Sequence, residues 1–297
     1  MVMKRIGTID GDELIEYRFD SIWSLIEYLK TGPDNRLFRE KSSQTGSYDF
    51  TGTQSYAEAE SLCLYGGDKN DFEKFMYLKE SLDDTLAEKR TRTMQFNDFV
   101  GDVPNVPLYL MGYPLNMIRQ RREELSEDKV IDIYFNVSVP AYTTRQQIFN
   151  RGVIALSLID YLEGLGYKVN LHLFELSTKE GQVCLYEFDL KNLDEATDYR
   201  NLFFPLTHPS FLRRIIFRLM EKTPELTSEW TYGYGTPASR SLIEKVFNVS
   251  EGNKFIFYSP SDMGIYGEDL EADFETCISR MGVKRKVEED KRNNDKR

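Results

Sequence analysis

Cysteine and histidine are scarce. Among 297 residues there are three cysteines, Cys63, Cys184 and Cys277, far apart, and two histidines, His172 and His208. An odd, scattered set of thiols argues against a disulfide framework and a cysteine-rich zinc site. Two imidazoles are too few for most histidine-based metal centres. No stretch approaches the ~20 apolar residues that span a bilayer. The start, Met1-Val2-Met3-Lys4-Arg5, lacks the apolar core of a secretory signal, so the chain is expected to stay in the cytoplasm where it is made. Walker, HExxH, GxSxG and kinase signatures are all missing, which argues against the chemistry built on them. Basic charge is not in excess either. Lys+Arg is 38 against 49 Asp+Glu, a net of −11, and such a surface repels nucleic acid.

What is present is a globular composition: 40% hydrophobic and 13% aromatic residues, enough for a packed core in one large domain or one domain plus a small one. The first 100 residues read as a mainly helical region. Ile22, Leu25, Ile26 and Leu29 recur at helical spacing after a cap at Asp20 or Ser21, and Gly32-Pro33 ends the run. Ser55 with Glu58 predicts a capping box for a helix that stops at Gly66-Gly67. A charged helix is expected over about 71–92. Pro104, Pro107 and Pro114 then forbid a continuous helix, and a domain boundary is placed near residue 100.

Beyond it, strand and helix patterns alternate. Strands are expected at 130–137, 167–176, 183–190 and 255–258, and helices at 144–165, 211–220, 239–247 and 269–281. The turn Thr178-Lys179-Glu180-Gly181 predicts a hairpin between the second and third strands. The order implies an α/β domain over 101–282: a three-layer, mostly parallel sheet with a helical N-terminal region. Residues 283–297 carry seven basic and four acidic side chains and read as a disordered charged tail.

Chemistry in such a sheet sits beyond the carboxyl ends of the strands. Three segments would meet there: Asn136-Val137-Ser138-Val139-Pro140, Tyr232-Gly233-Tyr234-Gly235-Thr236-Pro237 and Tyr258-Ser259-Pro260-Ser261-Asp262. In this pattern the domain resembles von Willebrand factor A-like domains, including the cobalt-chelatase-subunit type. That resemblance implies a divalent-cation site held by an Asp-x-Ser-x-Ser strand end, a threonine loop and a later aspartate. Here Asn136 stands for the first aspartate, Ser138 fits the first serine, Pro140 replaces the second, Thr236 fits the threonine loop, and Asp262 or Ser259 falls near the last position. A hard divalent cation wants carboxylate oxygens, so the site reads as degenerate: no metal and no cofactor, with a weak divalent cation at most.

A second resemblance covers most of 15–225. Phe50-Thr51-Gly52-Thr53, Arg151-Gly152, Gly166-Tyr167-Lys168-Val169 and His208-Pro209-Ser210-Phe211-Leu212-Arg213-Arg214 resemble a family of tailed-bacteriophage proteins, which implies a phage origin.

His208, Arg213 and Arg214 form a possible anion site, a helix start with guanidinium groups. The competing reading pairs Arg213 or Arg214 with Glu221 or Asp189 to fix the helix. His172, between Leu171 and Leu173, reads as part of a polar strand face.

The expected function is a non-enzymatic accessory protein in the host cytoplasm, whose metal-poor von Willebrand A-like domain binds another protein, phage or host. Membrane is not expected as a partner, nor is nucleic acid except through the C-terminal tail. The open alternatives are an enzyme acting on a phosphate-bearing substrate at Ser138, Thr236 and Asp262, and a virion component. An arginine beside Asp262 would favour the enzyme.

Overall fold

A computed structural model describes residues 2–38, 41–89, 96–98, 103–104, 106–111, 114, 117–119, 130–179, 181–227, 237–250 and 252–281. The chain begins not with a helix but with two strands, β1 (Val2–Ile9) and β2 (Asp12–Phe19). They are joined by Asp10-Gly11, both at positive φ (52° and 96°), the geometry that a two-residue hairpin turn of right-handed twist requires. Helix α1 (Ile22–Thr31) follows, its Ser21 side chain accepting from the Ser24 amide. Short helices α2 (Ser42–Thr45) and α3 (Tyr48–Thr51) lead to α4 (Tyr56–Tyr65) and α5 (Lys69–Lys89). Ser55 caps α4 as expected, but Glu58 reaches the Gln54 amide, one residue before the box position.

Then come β3 (Phe96–Asp98), β4 (Val103–Pro104), α6 (Val106–Leu110) and β5 (Met117–Arg119). The α/β run is β6 (Val130–Asn136), α7 (Arg145–Gly164), β7 (Lys168–Lys179), β8 (Gln182–Lys191) and α8 (Tyr199–Thr207). A π-helical turn over Phe211–Ile216 continues into α9 (Phe217–Glu221). The last elements are α10 (Arg240–Val246), β9 (Lys254–Phe257), α11 (Pro260–Met263) and α12 (Leu270–Met281).

The chain divides into two compact units, 1–83 with 129–283 and 84–128 with 284–297. The boundary expected near residue 100 therefore falls inside the second unit, and residues 1–83 are not a separate helical region. The reason is the N-terminal hairpin, which supplies two strands of the main sheet. In the second unit, β3, β5 and β4 form a three-stranded antiparallel sheet. The tail expected at 283–297 lies outside the described residues.

In the first unit the sheet order is β1-β2-β8-β7-β6-β9. The fold is mixed α/β, and the sheet is mixed rather than mostly parallel. β6 runs parallel to both β7 and β9, and β2 parallel to β8, while β7/β8 and β1/β2 are antiparallel hairpins. The tight turn at Gly181 (φ +79°) forces β8 back alongside β7. β6 is interior, between β7 and β9.

One face of the sheet carries the core. Phe135, Leu173, Phe188 and Tyr186 are buried there with side chains of α1, α7 and 199–223. The other face carries Tyr134, His172, Glu187 and Asp189, with Phe247 beyond α10 packed 4.5 Å from Tyr134 and 4.7 Å from Phe174. No helix among the described residues is long and apolar enough to cross a membrane.

Candidate functional site

Strand β6 ends on Asn136, side by side with Phe174 of β7, and the chain then turns outward through 137–143 to the cap of α7. Thr144 caps that helix and Gln147 closes a capping box, so the end of the β6 segment is rigidly joined to α7. Asn136 Oδ1 accepts from the Ser138 amide at 2.9 Å, and its Nδ2 is buried with no partner. The Ser138 hydroxyl reaches Glu175 Oε1 of β7 at 3.5 Å, and Ser177 donates to Glu175 Oε2 at 3.1 Å. Glu175 is fully buried, and burial pushes its carboxyl up to about 8 against the two serine hydrogen bonds, so it holds a proton at neutral pH. Sequence reasoning missed Glu175. The signal was present: a single acid inside the apolar run Leu173-Phe174-Glu175-Leu176.

The neighbouring strand end is closed on itself. Ser259 donates to Asp262 Oδ2 at 2.8 Å and lies 3.0 Å from the Ser261 hydroxyl. No hydrogen bond among the described residues links this group to Asn136 and Ser138, and Thr236 lies outside the described residues. Of the five expected strand-end residues, the structure therefore brings together Asn136 with Ser138 and, separately, Ser259 with Asp262.

The anion site expected at His208, Arg213 and Arg214 does not form. Burial pushes His208 down to about 3, with Arg145 adding to it, so the imidazole is neutral. Its Nδ1 accepts from the Ser210 amide at 3.2 Å. Arg213 donates to the carbonyls of Phe50 (2.6 Å), Ala141 (3.3 Å) and Thr143 (3.0 Å). Arg214 donates to Thr53 Oγ1 (2.8 Å) and to the carbonyls of Ser43, Gln44, Gly46 and Thr53. Neither pairs with Glu221 or Asp189. Glu221 accepts from the amide and hydroxyl of Ser43, and Asp189 belongs to another network. Side chains of adjacent helical residues point about 100° apart. Both arginines are buried because 41–53 wraps one side of the π-turn and 141–143 lies on the other. Neither Arg213 nor Arg214 hydrogen-bonds to Asp262, which accepts from Ser259 instead.

The model of a family described as a domain of unknown function, DUF7192, matches residues 5–284, nearly the whole chain. The chain belongs to the DUF7192 family. No curated protein and no solved structure matches it.

The DUF7192 chain has one group of side chains with metal-ligand chemistry among the described residues. His172, Glu187 and Asp189 place one ligand atom each within 4.8 Å of one another on the polar face. His172 Nδ1 lies 2.7 Å from Asp189 Oδ1, and Arg18 pairs with Asp189 at 3.0 Å and Glu187 at 3.6 Å. Burial raises the Glu187 carboxyl, while for Asp189 the His172 and Arg18 hydrogen bonds outweigh burial and hold it low. Arg18 sets positive charge against the two carboxylates and His172 hydrogen-bonds Asp189, although Glu187 Oε1 makes no hydrogen bond among the described residues, so the arrangement is an ion network, in line with the polar strand face expected at His172.

The rim of the strand ends carries what the sequence reading did not single out. Tyr142, 75% exposed, precedes the α7 cap by two residues, and Tyr266, 39% exposed, lies on the loop after α11. That loop is seated on the start of α7: Asn150 donates to the Gly267 carbonyl, and a Cβ at Gly267 would meet Asn150 at 2.8 Å and the Gln147 carbonyl at 2.9 Å. The two tyrosines thus flank the same end of α7.

Proposed function

We propose that this DUF7192 chain is an accessory binding protein of a tailed phage, acting in the host cytoplasm, and that it engages a phage or host protein with the rim at the carboxyl end of β6 and the start of α7. The observation that carries the reading is the pair Tyr142 and Tyr266, exposed on two loops anchored to one helix end. Tyrosine gives large contact area at small entropic cost and is enriched in interfaces. Inside the rim the polar groups are turned on each other: Ser138 to Glu175, Ser259 to Asp262. Support for a von Willebrand A-like core comes from the succession β6, long helix α7, parallel β7, which is the opening that the resemblance implies.

The test is affinity capture from infected cells with tagged wild type, a Tyr142→Ala/Tyr266→Ala variant and a Tyr65→Ala control, which alters an exposed tyrosine on α4. The proposal expects one stoichiometric partner that the double variant loses and the control keeps, with unchanged melting for both. Equal capture by all three would refute it.

A further inference from the structure

Arg151 of α7 is 1% exposed and has no acid for a partner. Its guanidinium lies against the stacked rings of Phe135 in β6 and Phe257 in β9, 5.1 and 5.3 Å from their centroids. Among the described residues it makes one hydrogen bond, Nη2 to the Tyr258 carbonyl at 2.8 Å, and its Nε is buried without an acceptor. Arg214, equally buried, satisfies its guanidinium on five oxygens.

Among the described residues no carboxylate pairs with Arg151. Burial lowers its guanidinium to about 9, still cationic at neutral pH. Cys277 of α12 is the one titratable neighbour that favours the cation, but burial pushes that thiol up to about 12, so it is uncharged. His208 is neutral. A buried ion without a counter-charge is costly, and proteins either pair it or bring in the missing charge.

There is space for that charge. Arg151 lines a cavity of about 10 Å³ with Val137, Val139, Ile148, Leu206 and His208. That volume is roughly the room for one water-sized particle. A monatomic halide, slightly larger than water, is the smallest anion that could enter with modest adjustment of the lining, whereas phosphate, sulfate and carboxylates have several heavy atoms and need considerably more room. The geometry points to a binding site for one small monovalent anion of halide size, held by the unpaired Nε edge of Arg151 at the carboxyl ends of β6 and β9. Chloride is the abundant anion of that class. Its binding would tie α7, β6, β9 and the 205–212 segment together through one charge. This site goes beyond the rim reading and does not depend on it.

The test is thermal melting of the full chain as sodium chloride replaces sodium gluconate at constant ionic strength. A ligand that binds only the folded state raises the melting temperature with its concentration. Wild type is expected to gain several degrees in chloride or bromide and nothing in sulfate at matched ionic strength. Arg151→Met, which keeps an apolar stem against the two phenyl rings, is expected to show no difference between chloride and gluconate. A bromide soak of wild-type crystals tests the position without any variant and is expected to give an anomalous peak within hydrogen-bond distance of Arg151 Nε. Equal melting of wild type in chloride and gluconate, an unchanged chloride response in Arg151→Met, or a water with no anomalous signal at that position would each overturn the proposal.

Discussion

Arg214 and Arg151 are both fully buried, and they are buried in opposite ways. Arg214 reaches back from the π-turn and gathers the carbonyls of 43–53, so the wrapping segment is held by a cation with every direction filled. Arg151 has two aromatic faces, one carbonyl and an empty edge. Buried charge alone therefore says little about role. The number of acceptors around it distinguishes a fully satisfied clasp from a half-satisfied cation, and hydrogen bonds to charged groups are each worth about 1.5–3 kcal/mol.

The comparison breaks most visibly at the clasp. Arg214→Ala leaves the carbonyls of Ser43, Gly46 and Thr53 without their donor, and the expected cost is roughly 3–5 kcal/mol, on the order of a 10 °C fall in melting temperature. A variant that melts within a degree or two of the parent would show that 41–53 is held by something else.

A second, smaller effect contrasts these cations with the one fully buried acid at the strand ends. The folded Glu175 carboxyl is raised to about 8 from an ordinary 4.5. Between those values the native state holds a proton that the unfolded state has released, so stability falls as pH rises through this window and levels off above it. Glu175→Gln removes the titration. The variant is expected to match wild type near pH 5 and to exceed it by a few kcal/mol near pH 9. Urea titrations at the two pH values give the answer, and parallel loss of stability in both proteins would move the pH dependence to other groups.

Packing near Arg151 sharpens the contrast further. A Cβ at Gly152 would meet the Leu206 carbonyl at 2.7 Å and Thr207 Cγ2 at 2.4 Å, because α7 and α8 cross there without a side chain between them. Gly152→Ala is expected to cost about 1–3 kcal/mol by overpacking. Gly11→Ala has open space around the new Cβ and costs only the positive φ, about 1 kcal/mol. A reversed order of these two melting temperatures would contradict the close helix crossing.

Much of the α/β run was legible in the sequence because its elements are long and their apolar periods clear. Helix α7, the β7/β8 hairpin and strand β6 all stand where periodicity and turn residues put them. The N-terminal hairpin was missed, although Asp10-Gly11 between Ile9 and Leu14 is a strong two-residue turn signal. Its strands carry Lys4, Arg5, Glu13, Glu16 and Arg18, which hide the period-two pattern. The sheet is mixed because both the β1/β2 and β7/β8 hairpins are antiparallel, and β2 lies beside β8 by a long-range pairing that no local pattern encodes. The strand-end residues Asn136, Ser138, Ser259 and Asp262 were identified, but their partners were not. Glu175 meets Ser138 through the parallel β6/β7 register, and Arg213 and Arg214 meet carbonyls 70 or more residues away. Backbone acceptors leave no trace in a sequence, so arginines destined for carbonyls look the same as arginines destined for an anion.

The central claim is that the strand ends serve as a recognition rim whose polar interior is structural. Hydrogen exchange of the chain, free and in complex with its captured partner, tests it most directly. The account predicts new protection at 139–143 and 259–268 and none at the clasp over 41–53. Protection confined to the β1 edge, residues 2–9, would contradict it.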